Sequence, residues 1–501
     1  MSGPLSNADL APVPPEQRTW SRWNIASLWI GMAVCIPTYM LASGMIAAGM
    51  NWWQAVLTVL LGNMIVLVPM VANGHGGTKY GVPFPVLARA SFGTVGAHVP
   101  AIARAIVACG WFGIQTWIGG AAIYSILVVL GWINPVTEAD IVPFLGISTG
   151  QFLCFLAFWV VHVLIVLVGI ESIKWVEAFA APFLIACGVG LLIWAFTAVD
   201  DTAALFVSES TRPDGVSFWT IFFPQLTAMV GFWATLSLNI PDFTRYCRSQ
   251  REQATGQLIG LPSTMTLFSF VGIMVTGATV VLYGEALWDP VVLVARMGSE
   301  EAAVTSMVVV LALVVLLIAT LSTNLAANVV SPANGFSNLA PGKIGFRGGA
   351  MITAVVGILI MPWRLMTDLS DYIFVWLIGY SALLGPIAGI MLCDYFIVRR
   401  TELNVEALYD PEGEYGGVSA AAMLALVLAV LPNLPGFINA VTGTAGTEEA
   451  FFHAFFDQIY GYAWFVGLPL AMLFYWLFKR LPEEGSRTLF KRLPVTGDNA
   501  S

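Results

Sequence analysis

The side chains of this sequence that could do chemistry are amides, hydroxyls and indoles, and they lie inside long apolar stretches. In Gly110-Trp111-Phe112-Gly113-Ile114-Gln115-Thr116-Trp117, Trp111 and Gln115 stand one helical turn apart. One helix face then offers a flat ring and a carboxamide to the same cavity. That pair suits a neutral, planar, polar ligand; a packed tryptophan beside a satisfied glutamine has the same pattern. A second aromatic group, Gly231-Phe232-Trp233, sits near the middle of another stretch and precedes Asn239-Ile240-Pro241-Asp242. Proline there removes a backbone donor and can break the helix, which a membrane tolerates only where the freed backbone lines a cavity.

The third group is Ala319-Thr320-Leu321-Ser322-Thr323-Asn324-Leu325-Ala326-Ala327-Asn328. Ala319, Ser322 and Thr323, at i, i+3 and i+4, share a face. Two hydroxyls there, opposite the free carbonyls of an interrupted helix, could supply hard oxygen ligands to an alkali cation; the same hydroxyls could instead bond back to their own helix. Asn328 lies off that face on an ideal wheel, so it reaches the cavity only through a distortion of the helix. No apolar stretch has a carboxylate at its centre, and His162 is the only histidine well inside one. Nothing therefore resembles a catalytic triad or metal cluster, which argues against a membrane enzyme. A charged substrate is disfavoured too, because it would need a buried counter-charge.

The elements that position these groups are membrane spans. Of 501 residues, 58% are hydrophobic and 10% charged, against about 45–50% and about 25% in soluble domains. A water-soluble fold is excluded. The net charge of −9 belongs to loops, and without a basic block nucleic acid is excluded as a partner. Runs free of Asp, Glu, Lys and Arg cover 23–78, 105–137, 141–170, 178–199, 215–241, 253–284, 302–342, 348–363, 372–393, 415–447 and 458–478. The first holds two helices with a turn near Met50-Asn51, so twelve helices are predicted, each needing about 20 residues. Run 348–363 is short, and extension through Arg364 and Leu365 would complete it.

If the helices alternate sides, only Arg212, Arg296 and Arg364 of the 21 basic residues fall outside. That bias puts both termini in the cytoplasm and makes the chain a multi-pass protein of the cell membrane. The polar, proline-containing start reads as a cytosolic tail and not as a cleaved signal. Six cysteines, most of them in apolar runs, suggest no disulfide framework. Trp29 precedes Ile36-Pro37 at the spacing with which Trp233 precedes Ile240-Pro241. Interrupted helices five spans apart run in opposite directions, a hint of an inverted repeat with a midplane site; a kinked helix without a site is the other reading.

Further motifs carry a family resemblance: Asn73-Gly74-His75, Gly77-Thr78-Lys79-Tyr80-Gly81, Pro83-Phe84-Pro85, the block from Trp111 to Gln115, and Asn239-Ile240-Pro241-Asp242-Phe243-Thr244-Arg245-Tyr246. They continue through Ser322-Thr323-Asn324, Ala326-Ala327-Asn328, Ser331-Pro332 and Gly385-Pro386 to Asp394-Tyr395-Phe396. Nearly end to end, the chain resembles the nucleobase:cation symporter-1 family of hydantoin, allantoin, uracil and cytosine permeases.

The resemblance implies an all-α polytopic membrane protein of twelve transmembrane helices, a LeuT-like five-plus-five inverted repeat followed by two C-terminal helices. The expected divisions are a tail over 1–22, the first repeat over 23–200, the second over 215–400, the last two helices over 415–478 and a tail over 479–501. Trp111 and Trp233 match the tryptophans that sandwich the heterocycle, and Gln115 and Asn328 match its amide partners. Phe232 falls where the sixth helix offers main-chain groups and Cys35 where the family's hydantoin carriers have glutamine; those carriers have glycine at the position of Phe232, so this chain departs from them twice. Gly31, Val34 and Ala319 match carbonyl ligands of sodium, and Ser322 and Thr323 its hydroxyl ligands. The expected activity is import of a nucleobase-like or ureide ring with a coupling cation, sodium before protons, and no other cofactor. The alternatives are an amino-acid or betaine carrier of the same architecture, a channel, or a membrane enzyme.

Overall fold

The computed structural model describes residues 5–7, 9–168, 185–206, 212, 215–297, 306–450 and 452–481. The start of the run at 178 and nearly all of the tail over 479–501 lie outside the described residues. Helices dominate: α1 Arg22–Ala33, α2 Ile36–Ala47, α3 Trp52–Tyr80, α4 His98–Val129, α5 Thr149–Val168, α6 Ile185–Ala198, α7 Phe218–Phe232, α8 Ala234–Asn239, α9 Gln250–Tyr283, α10 Ser306–Asn328, α11 Phe346–Leu359, α12 Asp371–Val398, α13 Ala420–Thr442, α14 Ala454–Gly461 and α15 Ala463–Arg480. A two-residue hairpin, Ile141–Val142 against Ile147–Ser148, joins α4 to α5.

Seven of these helices are long and apolar enough to cross a membrane, two more spans are bent pairs, and three shorter apolar helices complete twelve segments among the described residues. The first charge-free run divides as expected, α2 ending at Ala47 and α3 starting at Trp52, where Asn51 accepts from the Gln54 amide at 3.1 Å and caps the helix.

The first span breaks between α1 and α2 with a bend of 62°. Cys35 is extended, with φ −148° and ψ 160°, and Pro37 opens the next helix, where its missing N–H costs nothing. Across the break the Cys35 amide turns to the Ala33 carbonyl at 3.0 Å and the Tyr39 amide to the Cys35 carbonyl at 3.2 Å. The carbonyl of Gly31 thereby loses the partner a continuous helix would give it.

The sixth span breaks elsewhere than proline suggests. The interruption falls at Trp233, with φ −98° and ψ 7°, whereas Ile240 before Pro241 keeps helical angles, −52° and −29°. Pro241 orphans the Ser237 carbonyl four residues back, and Asn73 of α3 donates its amide to that oxygen at 2.7 Å. Thr78 donates to the Thr244 carbonyl at 3.0 Å, and Thr244 to the Gly74 carbonyl at 2.9 Å. Three of the motifs therefore take part in an interlock between the end of α3 and the stretch from the end of α8 onward.

The ninth span also departs from expectation. α11 stops at Leu359, and Met361 adopts φ 51° before Pro362. A residue before proline is pushed out of the helical region, so Arg364 and Leu365 cannot extend the helix. Arg364 instead donates to the Phe144 carbonyl at 2.7 Å in the α4–α5 connection.

The N-terminal tail is pinned to the bundle. Arg89, fully buried, donates to the carbonyls of Leu5 at 3.1 Å and Leu408 at 3.0 Å and to Asn338 Oδ1 at 2.8 Å. Burial pushes the Tyr409 phenol up to about 12, so it stays protonated and donates to the Leu10 carbonyl at 2.6 Å.

Candidate functional site

The middle of the bundle is lined by aromatic rings. Trp111 of α4 meets Phe232, the last residue of α7, edge-on at a centroid distance of 5.2 Å. Phe232 meets Trp233 at 5.0 Å, and Trp233 meets Trp29 of α1 at 5.1 Å, each nearly perpendicular. The α7 break is what allows two consecutive residues to turn large rings inward, since helical neighbours point 100° apart. The structure therefore brings Trp111, Phe232 and Trp233 together, with the Phe232 ring touching both indoles.

One helix contributes rings that the sequence reading missed. Tyr372, Trp376 and Tyr380 of α12 all lie against Trp111, at 6.3, 5.8 and 6.4 Å. Their i, i+4, i+8 spacing was the available clue, hidden in a run already read as apolar. Gly110 makes the approach possible: a Cβ there would run into the Trp376 indole.

Such a box needs polar groups to orient a ligand, and several here are buried without a partner: Gln115 Oε1, Trp233 Nε1, Trp376 Nε1 and the Tyr372 hydroxyl. An unmet buried polar atom costs about 1–3 kcal/mol, so these are the atoms beside the rings that a polar ligand could satisfy. Asn328 is also buried and is tied to Asn324 one turn earlier, Nδ2 donating to Oδ1 at 3.0 Å. Asn324 in turn reaches the Phe112 carbonyl at 3.1 Å and Thr116 at 3.2 Å. The helix that carries Trp111 and Gln115 and the helix that carries Asn328 are thus linked directly. Cys35 sits at the α1–α2 break, its sulfur 3.2 Å from the Thr38 hydroxyl.

The residues read as cation ligands divide between α1 and α10, which touch. Val34 and Ala319 are buried, Gly31 exposed. Thr320 bonds back to the Leu316 carbonyl at 2.7 Å. Ser322 and Thr323, both buried, make no such bond among the described residues, so their hydroxyl oxygens are not engaged by their own helix.

Comparison with known proteins supports the architecture. Residues 12–467 match the family described as permeases for cytosine/purines, uracil, thiamine and allantoin. The purine-uracil permease of Arabidopsis thaliana is 44% identical over 94% of this chain and 77% of its own length. The allantoin permease of Bacillus subtilis strain 168 is 39% identical, over 97% and 95%. Among solved structures, Mhp1, a nucleobase-cation-symport-1 family transporter in a closed conformation with bromovinylhydantoin bound, superposes with a TM-score of 0.75 at 26% identity, covering 98% of each chain. A Na+-coupled sialic acid symporter shares the fold alone, TM-score 0.55 at 12% identity over 92% and 91%. The fold is the LeuT-like bundle of these transporters, and the family is one of transporters and not of enzymes. With the match covering nearly its whole length, the chain belongs to the family of cytosine/purine, uracil, thiamine and allantoin permeases.

Proposed function

We propose that the protein is a secondary active importer that couples a cation, sodium, to the uptake of a neutral planar heterocycle of the nucleobase or ureide class, which includes uracil, allantoin, hydantoin and cytosine. The observation that carries this reading is the aromatic box of Trp111, Phe232 and Trp233 around buried polar atoms without partners, Gln115 Oε1 among them. Flat rings stack on indoles, and a lactam or imide edge satisfies carboxamides. The names of the relatives, for purine, uracil and allantoin, agree with that chemistry.

In this reading Gly31, Val34 and Ala319 offer carbonyls, and Ser322 and Thr323 hydroxyls, to sodium between α1 and α10. Binding there joins the broken first span to the eighth before the ring binds against Trp111 and Trp233, with Gln115 and Asn328 as amide partners and Phe232 and Cys35 alongside. Opening to the cytoplasm, where both termini lie, completes alternating access. The unengaged hydroxyls favour sodium over protons, because sodium needs only oxygens and no titrating group.

The test is uptake of labelled uracil, allantoin, hydantoin and cytosine into vesicles containing the full chain, with and without a sodium gradient. Accumulation of one ring that collapses when sodium is replaced by choline is expected. Uptake of none of them overturns the substrate class; uptake that follows a pH gradient and ignores sodium overturns the coupling ion.

A further inference from the structure

Asn324 is fully buried, and its amide nitrogen faces three acceptors: the Phe112 carbonyl at 3.1 Å, Thr116 Oγ1 at 3.2 Å and His162 Nε2 at 3.1 Å. A backbone carbonyl can only accept, so the atom turned toward Phe112 has to be nitrogen. Thr116 donates its own hydrogen to that same carbonyl at 2.7 Å, which leaves its oxygen to accept from Asn324. His162 is fixed by the same logic. Its Nδ1 lies 2.9 Å from the Phe158 carbonyl, so Nδ1 carries the hydrogen and the neutral ring turns a lone pair at Nε2 toward Asn324.

With its nitrogen committed, Asn324 has only Oδ1 for Asn328, and Asn328 Nδ2 is the donor at 3.0 Å. The order of donors and acceptors along this chain has one consistent solution, anchored at two main-chain carbonyls that cannot reverse. An isolated amide can turn over at little cost. Asn328 cannot turn without setting its oxygen against Asn324 Oδ1, and Asn324 cannot turn without setting its oxygen against the Phe112 carbonyl.

We propose that the His162–Asn324 chain makes Asn328 a fixed acceptor, which presents its carbonyl oxygen to the bound ring and selects a ring edge carrying an N–H. His162 and Asn324 are positioning residues in this scheme, since they act through Asn328. The inference rests on the reading above that Asn328 faces the substrate. Gln115 differs: among the described residues its Oε1 has no partner, and nothing like the Phe112 carbonyl fixes its orientation. One amide is held and the other adapts, so rings that share an N–H but differ at the opposite edge can occupy the same site.

The test compares the ring that the wild type binds tightest, from uracil, allantoin, hydantoin and cytosine, with its N-methyl derivatives in competition binding on the purified full chain. One N-methyl position is expected to weaken wild-type binding about tenfold or more, a hydrogen bond's worth. In Asn324→Leu and in Asn324→Ala that ratio falls toward one, because the Asn328 amide has lost the acceptor that holds it and is free to turn. His162→Gln, which can accept from Asn324 and donate to Phe158, keeps it. A purely steric penalty on the methyl group would persist in every variant, so a wild-type ratio in either the Leu or the Ala variant overturns the inference. Either one recovered folded by thermal melting decides the matter. A wild type that binds none of the rings overturns the substrate reading and this inference with it; a wild type that discriminates while the Leu or the Ala variant keeps its ratio overturns this inference alone.

Discussion

The phenyl ring of Phe232 stands edge-on to the indole of Trp111, centroids 5.2 Å apart and planes at 79°. It touches Trp233 as well, so the space beside the two indoles is shared with a side chain. Phe232→Gly removes that ring. The variant should bind heterocycles with bulky aryl substituents that the wild type rejects, with a gain of tenfold or more expected from roughly 1.5–3 kcal/mol of contact area per buried apolar group. Competition by a series of rings with growing substituents reads it; an unchanged size limit would show that Phe232 does not border the ligand.

Replacing either indole should weaken binding. Trp111→Ala and Trp233→Ala are each expected to cost about 1–3 kcal/mol, the usual value of one aromatic–base stack, and phenylalanine at either position should keep part of it. Measured dissociation constants that match wild type in both alanine variants would eliminate the stacking arrangement.

Gln115→Leu removes the adaptable amide while its shape survives. Rings that differ by one carbonyl or amine at the edge facing α4 should then bind alike, within about threefold, where the wild type separates them by about 1–3 kcal/mol. The readout is a rank order across the panel, and retention of the wild-type order would place Gln115 outside the contact.

Thr323→Val keeps volume and deletes one of the two hydroxyls without a bond to its helix. Sodium should tighten ring binding in the wild type and, by linkage, the ring should tighten sodium by the same factor. The valine variant should lose most of that factor while sodium-free affinity holds within about threefold. Isothermal titration at two sodium concentrations checks it, and full coupling in the variant would move the cation elsewhere.

Asn73→Leu tests the interlock. It leaves the Ser237 carbonyl, orphaned by Pro241, without its donor, and a buried unmet carbonyl costs about 1–3 kcal/mol. A lowered melting temperature in detergent is the expected result; melting at the wild-type temperature would mean that another group takes over the bond.

The spans were readable because charge is so costly in hydrocarbon that its absence alone traces them, down to the turn at Met50-Asn51. Individual breaks were harder. Proline marks a missing donor, but whether a helix parts there depends on neighbours, and Asn73 is 164 residues away from the carbonyl it satisfies. Trp233, with no breaker residue beside it except Gly231, gave no such warning. Trp111 and Gln115 announced themselves by spacing. Tyr372, Trp376 and Tyr380 did not, because rings at a regular interval in an apolar run look the same whether they meet lipid or another ring inside the bundle. Asn328 falls off the ideal wheel of Ser322 and Thr323, and no spacing rule announces that it is tied to Asn324 or that Asn324 faces His162.

Bending in a transmembrane helix is usually sought at proline. Here the carbonyl that Pro241 orphans is reclaimed by α3, which turns that stretch into a rivet, and the weak point of the sixth span lies at Trp233, where the backbone leaves helical angles. The joint and the wall of the box are then one residue. A bend of the sixth span at that residue would swing an indole, and the proposed ring site would change shape with the angle of the helix that carries it.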